Sequence, residues 1–140
     1  MRFMVIVKAN EDSENGVMPT AAELAAMGDY NEELVKAGVM LAGDGLYPSS
    51  KGARVAFDST GATTVTDGPF AETKELIAGF WIWELPSLEE AVEWLKKAPF
   101  RTGEVEIRQV HGAEAFADVV TPEIQQQEER LRAQLSARAQ

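Results

Sequence analysis

The alternation of apolar and polar side chains predicts six short strands along the chain. Two of them, Phe3–Val7 and Ile77–Glu84, carry apolar residues on both alternating faces, as strands that are covered on both sides do. The last strand, Glu104–His111, has one polar face. The other three strands are predicted at residues 39–46, 54–57 and 63–66. The second and third of these are close enough to form a β-hairpin.

Helical spacing of apolar residues predicts three helices between these strands and after them. Thr20–Glu23 is a capping-box pattern that opens the first helix, and Gly38 ends it. A second capping-box pattern, Ser87–Glu90, opens the next helix. Thr121–Glu123 begins a final helix with only a thin apolar seam. The polar stretch Asn10–Met18 is predicted to be a loop.

The order of these elements is β-α-β, a hairpin, and then β-α-β again. This is the ferredoxin-like split βαβ arrangement of the α+β class, in which two helices cover one face of a four-stranded sheet. The second face would then be an exposed apolar patch. A homodimer that packs two such faces back to back into an α/β barrel would cover it. We therefore expect a ferredoxin-like domain at residues 1–112 and a C-terminal helical extension at residues 113–140.

The composition excludes several classes of function. The chain has 140 residues, of which 45% are hydrophobic, which suits one domain with a substantial core. Without cysteine there are no disulfides and no thiolate metal sites, and we expect no metal and no cofactor. The formal charge of −10 argues against nucleic-acid binding, which needs a basic surface. No apolar run reaches the roughly 18 residues of a membrane span, so we expect a cytoplasmic protein that does not contact a membrane.

The densest group of reactive side chains lies at Asp67–Glu75, which reads Asp-Gly-Pro-Phe-Ala-Glu-Thr-Lys-Glu. Together with Gly79-Phe80 after it, and Ala37-Gly38 and Gly45-Leu46 before it, this segment resembles the DGPF-containing branch of the YCII-related family. The segment Glu104–Arg108 is similar to the closing strand of that family. The resemblance covers the ferredoxin-like domain and implies a fold that dimerises into an α/β barrel.

The resemblance also implies where a site would lie. Some relatives carry a His–Asp pair in the barrel cleft and act on small cyclic organic molecules, for example by dehydrochlorination. Their histidine lies on the first helix, where this chain has Met27 or Tyr30, and Asp44 falls where the acidic partner would lie. Gly43 and Gly45 beside Asp44 predict a bulge or a close backbone approach. Members with the DGPF motif are also associated with extracytoplasmic-function sigma factors.

Three side chains are candidates for acid–base catalysis: Asp44, Asp67 and His111. Asp67 would act as a general base if a dry barrel interior raised its pKa, and capping of its own turn is the alternative. His111 is the only histidine, and so the only side chain whose ordinary pKa lies near neutrality. A structural or solvated position at the end of a strand is the alternative for His111.

Five further side chains are candidates for ligand binding. Lys74 and Arg108 would pair with an anionic group, and an arginine can hold a carboxylate with two hydrogen bonds. Neutralisation of both cations by neighbouring glutamates is the alternative. Trp81 or Trp83 would point into the dimer interior and form an aromatic wall there, with core packing as the alternative. Glu72 and Tyr30 complete the predicted set.

These residues leave two functions open. The first is a dimeric barrel that binds a small organic molecule, with weak acid–base or lyase-type chemistry on a small organic acid. The second is a noncatalytic regulatory or interaction module that acts through its acidic surface and C-terminal helix, with a link to sigma-factor regulation. The missing histidine on the first helix favours the second function. Polar residues that converge on an apolar pocket would favour the first.

Overall fold

A computed structural model describes residues 1–138, except for the side chain of Lys74. In this part of the chain six strands, β1–β6 in chain order, form at Arg2–Lys8, Met40–Gly45, Ala53–Phe57, Thr63–Asp67, Ile77–Glu84 and Val105–Gln109. The α-helices of the same residues, α1–α4 in chain order, span Glu11–Glu14, Ala21–Lys36, Leu88–Lys96 and Pro122–Arg138.

Four of the strands form one antiparallel sheet in the order β2-β5-β1-β6. Helix α2 connects β1 to β2, and α3 connects β5 to β6. These connections and this strand order are the ferredoxin-like split βαβ arrangement, so the predicted α+β fold is confirmed. Strands β3 and β4 form a separate two-stranded sheet between the two halves, which is the predicted hairpin.

The core lies between the sheet and one layer of two helices. Trp81 of β5 lies opposite Val5 of β1, and Trp83 is fully buried two residues further along the same face. Leu34 of α2 and Ala91 of α3 belong to the same buried cluster. Trp81 and Trp83 therefore face the helices, which corrects the prediction that one of them points toward a dimer interior. Because both faces of β5 are apolar, the sequence pattern did not show which face the helices cover.

The predicted helix starts form as side-chain caps. The Thr20 hydroxyl accepts a hydrogen bond from the backbone N–H of Glu23 at 3.1 Å, within a complete capping box. The Ser87 hydroxyl accepts one from the N–H of Glu90 at 3.2 Å. Gly38, with φ of +72°, follows the end of α2, as the pattern predicted.

The prediction of a loop over Asn10–Met18 is wrong in part, since α1 forms there. The Asn10 side chain accepts a hydrogen bond from the N–H of Ser13 at 2.8 Å, and the Ser13 hydroxyl accepts one from the N–H of Asn10 at 2.9 Å. This is a capping box in which serine replaces the usual glutamate or glutamine. Because the segment is polar, it has no apolar periodicity from which a helix could be predicted.

The described residues divide into two compact units, one from Met1 to Val110 and one that begins at His111. The second unit contains a short 3₁₀ turn at Ala113–Phe116 and helix α4. The Thr121 hydroxyl accepts a hydrogen bond from the N–H of Ile124 at 3.2 Å, which is the predicted start of the last helix. Among the residues described, no helix has the length and apolar character needed to cross a membrane.

Candidate ligand-binding site

A cavity of about 360 Å³ lies between α2, β2 and β5. Met27 of α2, Trp81 of β5 and Phe100 from the segment after α3 supply apolar side chains to its lining. Gly43 and Gly45 of β2 also line it. Because these two residues have no side chains, the backbone of an edge strand forms much of one wall.

At two of the glycines that line this wall, Gly43 and Gly79, an added side chain would crowd neighbouring atoms. A Cβ on Gly43 would lie 2.7 Å from Cδ1 of Trp81, so any other residue would displace the indole. A Cβ on Gly79 would lie 3.1 Å from the carbonyl oxygen of Asp44. A Cβ on Gly45 would meet nothing within 4 Å, so a side chain at this position would extend into open space. Gly43 is thus a point of close approach, as the sequence predicted.

Asn31 is the polar side chain that α2 contributes to the cavity. The indole N–H of Trp81 donates a hydrogen bond to Oδ1 of Asn31 at 2.9 Å. Asn31 was not among the predicted site residues, although the sequence carries a signal for it. It lies four residues after Met27 and three before Leu34, so it interrupts the apolar stripe of α2 with a polar group.

Asp44 borders the cavity, but its side chain lies on the other side of the sheet. It pairs in register with Phe80, while its neighbour Gly43 pairs with Trp81. Because successive residues of a strand point to opposite faces, the Asp44 carboxylate lies with Phe80, away from the helices. Asp44 is exposed and is among the residues that line the cavity.

Tyr30 belongs to the core and is not among the residues that line the cavity, so its predicted ligand-binding function stays a prediction. Its side chain is 4% exposed, and its hydroxyl donates a hydrogen bond to the carbonyl oxygen of Trp94 at 2.7 Å. Burial, together with the nearby Glu33 carboxylate, raises the pKa of Tyr30 to about 12. The neutral hydroxyl therefore connects α2 to α3.

The Asp67–Glu75 motif packs against the connection between β2 and β3. A Cβ on Gly68 would overlap the carbonyl oxygen of Ser49, and the N–H of Gly68 donates to the carbonyl of Gly52 at 3.0 Å. The N–H of Phe70 donates to the Ser49 hydroxyl at 3.0 Å. That hydroxyl in turn donates to the Glu14 carboxylate, which also accepts the N–H of Ser49 at 3.0 Å. These bonds, first that of the hydroxyl, lower the pKa of Glu14.

The second half of the motif is held by one arginine from β3. The Arg54 guanidinium carbon lies 3.8 Å from the centroid of the Phe70 ring, which is a cation–π contact. The same guanidinium lies 3.3 Å from the Glu72 carboxylate. A backbone hydrogen bond within Glu72, and then the bond from Arg54, lower the pKa of Glu72. The Glu72 carboxylate therefore forms an ion pair with Arg54 in this structure. The side chain of Lys74 lies outside the described part.

Asp67 ends β4 opposite Ala53 and is exposed. Among the described residues its carboxylate forms no hydrogen bond or ion pair. The alternative that Asp67 caps its own turn is therefore not supported, because the N–H groups of Gly68 and Phe70 bind Gly52 and Ser49 instead. These partners are distant in sequence, which is why the local pattern did not indicate them.

The remaining predicted residues lie away from this cavity or in the second unit. The Arg108 side chain is 73% exposed, and its Nε lies 3.9 Å from the Glu106 carboxylate, so the alternative of a surface ion pair is observed. His111 begins the second unit, and its ring centroid lies 4.8 Å from that of Phe116. Of the predicted site residues with described side chains, Asp44 and Trp81 are the two that line the cavity.

No group of three or more metal-ligating side chains occurs among the described residues. The cavity itself is lined by one carboxylate residue, Asp44, and by neutral residues. Its arrangement can contact an apolar molecule and offer it one amide group.

A family model described as the YCII-related domain matches residues 1–114. The chain belongs to the YCII-related family. An uncharacterised protein of Rhizobium meliloti (strain 1021) is 47% identical over 53 residues, which is 36% of this chain and 43% of that protein. The match thus spans less than half the length of this curated relative.

Among solved structures, the chain is similar to the 5-chloro-2-hydroxyhydroquinone dehydrochlorinase of Burkholderia phenoliruptrix AC1100, solved in complex with 2,5-dihydroxybenzoquinone. The identity is 19% and the TM-score 0.46, with 81% of this chain and 97% of that chain covered. At this distance the likeness carries no inference about the chemistry of this chain.

Proposed function

We propose that this member of the YCII-related family binds a small organic molecule in the cavity beside Asn31 and Trp81. The observation that supports the proposal most directly is the combination of a glycine wall, aromatic side chains and one oriented amide. The volume of about 360 Å³ falls within the roughly 300–1,000 Å³ that is usual for ligand sites. Few polar groups within an apolar cavity are also typical of such sites.

The geometry favours binding over acid–base catalysis at this position. Asp44 is the titratable residue of the described lining, and strand alternation directs its carboxylate to the other face of the sheet. A general base has to lie within hydrogen-bond reach of the proton that it removes. Catalytic functions for Asp44, Asp67 and His111, and an anionic ligand held by Lys74 and Arg108, stay predictions.

We assign the chain to the DGPF-containing branch on the segment Asp67–Glu75. Back-to-back dimerisation is part of the same proposal. Met4 and Ile6 of β1 pair with Ile82 and Phe80 of β5 on the face of the sheet opposite Trp81 and Trp83. Ile6 is buried, and the other three side chains are half-buried. A second copy would cover this apolar centre. Light scattering is expected to give twice the monomer mass of 15.3 kDa, and a monomer mass at micromolar concentration would contradict the dimer.

Protein-observed NMR with a set of small aromatic and aliphatic compounds tests the binding site. Compounds that bind are expected to shift the amide signals of Gly43 and Gly45 and the indole signal of Trp81. Gly45→Val should abolish these shifts, because its side chain would extend into the cavity space. Ala56→Val, at an exposed position of β3, is the matched control. Shifts confined to other regions, or retained in Gly45→Val, would contradict the proposed site.

A further inference from the structure

The orientation of the Asn31 amide is fixed by its partner. An indole N–H can only donate a hydrogen bond, so Trp81 requires the carbonyl oxygen of Asn31 on its side, at the observed 2.9 Å. Trp81 cannot easily turn away, because it is 6% exposed and packs edge-on against Phe100 with ring centroids 6.2 Å apart. The Nδ2 group of Asn31 is consequently directed away from the indole.

The two N–H donors of that amide are available to a ligand. Nδ2 of Asn31 makes no hydrogen bond within the part of the chain that the structure describes, and Asn31 lines the cavity. The residue is half-buried, so the donors lie at the boundary of an apolar space. When a ligand displaces water from such a position, the N–H donors lose their water partners. A ligand that accepts a hydrogen bond from them therefore binds more tightly than one that does not.

The rest of the lining disfavours a charged ligand. No cationic residue is among the described lining residues, so an anion would lose its hydration without an opposite charge in contact. The formal charge of −10 would also repel an anion at long range. The same charge would attract a cation at long range, but within the cavity a cation would meet the N–H donors of Asn31. The Asp44 carboxylate would not compensate, because strand alternation directs it to the other face of the sheet. Trp81 and Phe100 supply aromatic side chains to the lining, which suits a molecule that contains a flat ring.

We infer that Asn31 determines ligand specificity, and that the cavity selects a neutral, flat molecule whose carbonyl or ether oxygen accepts a hydrogen bond from Nδ2 of Asn31. This inference rests on the proposed function, since it names the class of ligand for the same cavity. Asn31 acts directly on the ligand, and Trp81 acts as the positioning residue that sets the amide.

Four matched probes separate the contributions: acetophenone, ethylbenzene, benzoate and benzylamine. In the wild-type protein, acetophenone is expected to bind about two- to tenfold more tightly than ethylbenzene, which has the same ring but no acceptor. Benzoate and benzylamine are expected to bind more weakly than acetophenone. Dissociation constants are measured by NMR titration of the Gly43, Gly45 and Trp81 signals, which also locate each probe.

The variant Asn31→Asp has nearly the same shape and keeps an acceptor for the Trp81 indole, but it removes both donors. It is expected to abolish the preference for acetophenone over ethylbenzene and to improve binding of benzylamine. Asn15→Asp, at an exposed position after α1, makes the same change in charge outside the cavity and should leave all four constants unchanged. Backbone amide signals of Val5 and Trp83, which lie in the buried core, that match those of the wild type would show that the core of free Asn31→Asp is intact.

The outcomes separate this inference from the proposed function. Acetophenone and ethylbenzene could shift the Gly43, Gly45 and Trp81 signals with equal dissociation constants, or Asn31→Asp could keep the preference for acetophenone. Either result would overturn the inference about Asn31 and leave the proposed binding site standing. Tighter binding of benzoate would overturn the neutral class. The lack of any response at Gly43, Gly45 and Trp81 to all four probes would overturn the proposed function, and this inference with it.

Discussion

Replacing Gly68 by alanine tests whether the Asp67–Glu75 motif stabilises the fold through close backbone packing. A Cβ at this position would overlap the carbonyl oxygen of Ser49 and lie 3.2 Å from the backbone nitrogen of Ser50. Both neighbours are backbone atoms, so the rotation of a side chain cannot relieve the contact. The connection between β2 and β3 would have to move away from the motif.

The expected loss of stability has two contributions. Overpacking against close-packed atoms costs about 1–3 kcal/mol. Movement of the connection would also weaken two hydrogen bonds of 3.0 Å, from Gly68 to Gly52 and from Phe70 to Ser49. Each is worth about 0.5–1.5 kcal/mol. Small shifts of the backbone would relieve part of the overpacking and keep part of the hydrogen bonding. We therefore expect Gly68→Ala to lower the free energy of unfolding by about 2–4 kcal/mol.

Urea unfolding followed by tryptophan fluorescence measures this loss, and Gly52→Ala is the matched control. A Cβ on Gly52 would lie 3.5 Å from the carbonyl oxygen of Ser49, which is an ordinary contact. Its free energy of unfolding should stay within about 0.5 kcal/mol of the wild-type value. Asp67→Ala should behave in the same way, because the Asp67 carboxylate has no partner among the described residues. Equal unfolding midpoints for Gly68→Ala and Gly52→Ala would refute the packing argument.

Three further changes have defined outcomes. Gly28→Ala should stabilise the protein by up to about 1 kcal/mol, because Gly28 lies within α2 and an added Cβ would meet nothing within 4 Å; a lower urea midpoint would contradict this. Hydrogen bonds from Ser49, first that of its hydroxyl, lower the pKa of Glu14. The stabilisation that these bonds provide is therefore present in full above the ordinary pKa of a glutamate and is lost as the pH falls through the lowered pKa. The stability difference between wild type and Ser49→Ala should therefore narrow in acid, and a pH-independent difference would count against it. A chain ending at Gly112 should unfold in one cooperative transition followed by circular dichroism, because the buried core cluster lies in the first unit. A non-cooperative transition would show that residues 113–140 are needed for a stable core.

Much of the fold could be predicted because its signals are local. The strand Ile77–Glu84 has its predicted bounds, and Thr20 and Ser87 cap helices where their patterns placed them. These features depend on residues a few positions apart. The face on which Trp81 packs could not be predicted, because that choice depends on where two distant helices lie and both faces of the strand are apolar.

The site was predicted less well because its polar groups act over long sequence separations. Trp81 binds Asn31 across 50 positions, and Phe70 binds Ser49 across 21. The motif suggested acid–base chemistry at Asp67, yet the backbone N–H groups after it hold the turn. Asn31 interrupts the apolar stripe of α2, but this pattern alone does not show that the amide lies at a cavity.

The Asp67–Glu75 motif and the cavity differ in whether their polar groups already have partners. In the motif, polar groups satisfy one another: Arg54 pairs with Glu72, and Ser49 pairs with Glu14. Groups that are already paired gain little from a ligand, because a new bond has to replace an existing one. The Asn31 amide has one side fixed by Trp81 and two donors at an apolar wall. A binding site in this fold is therefore better indicated by an unsatisfied polar group beside glycine and aromatic residues than by the density of charge.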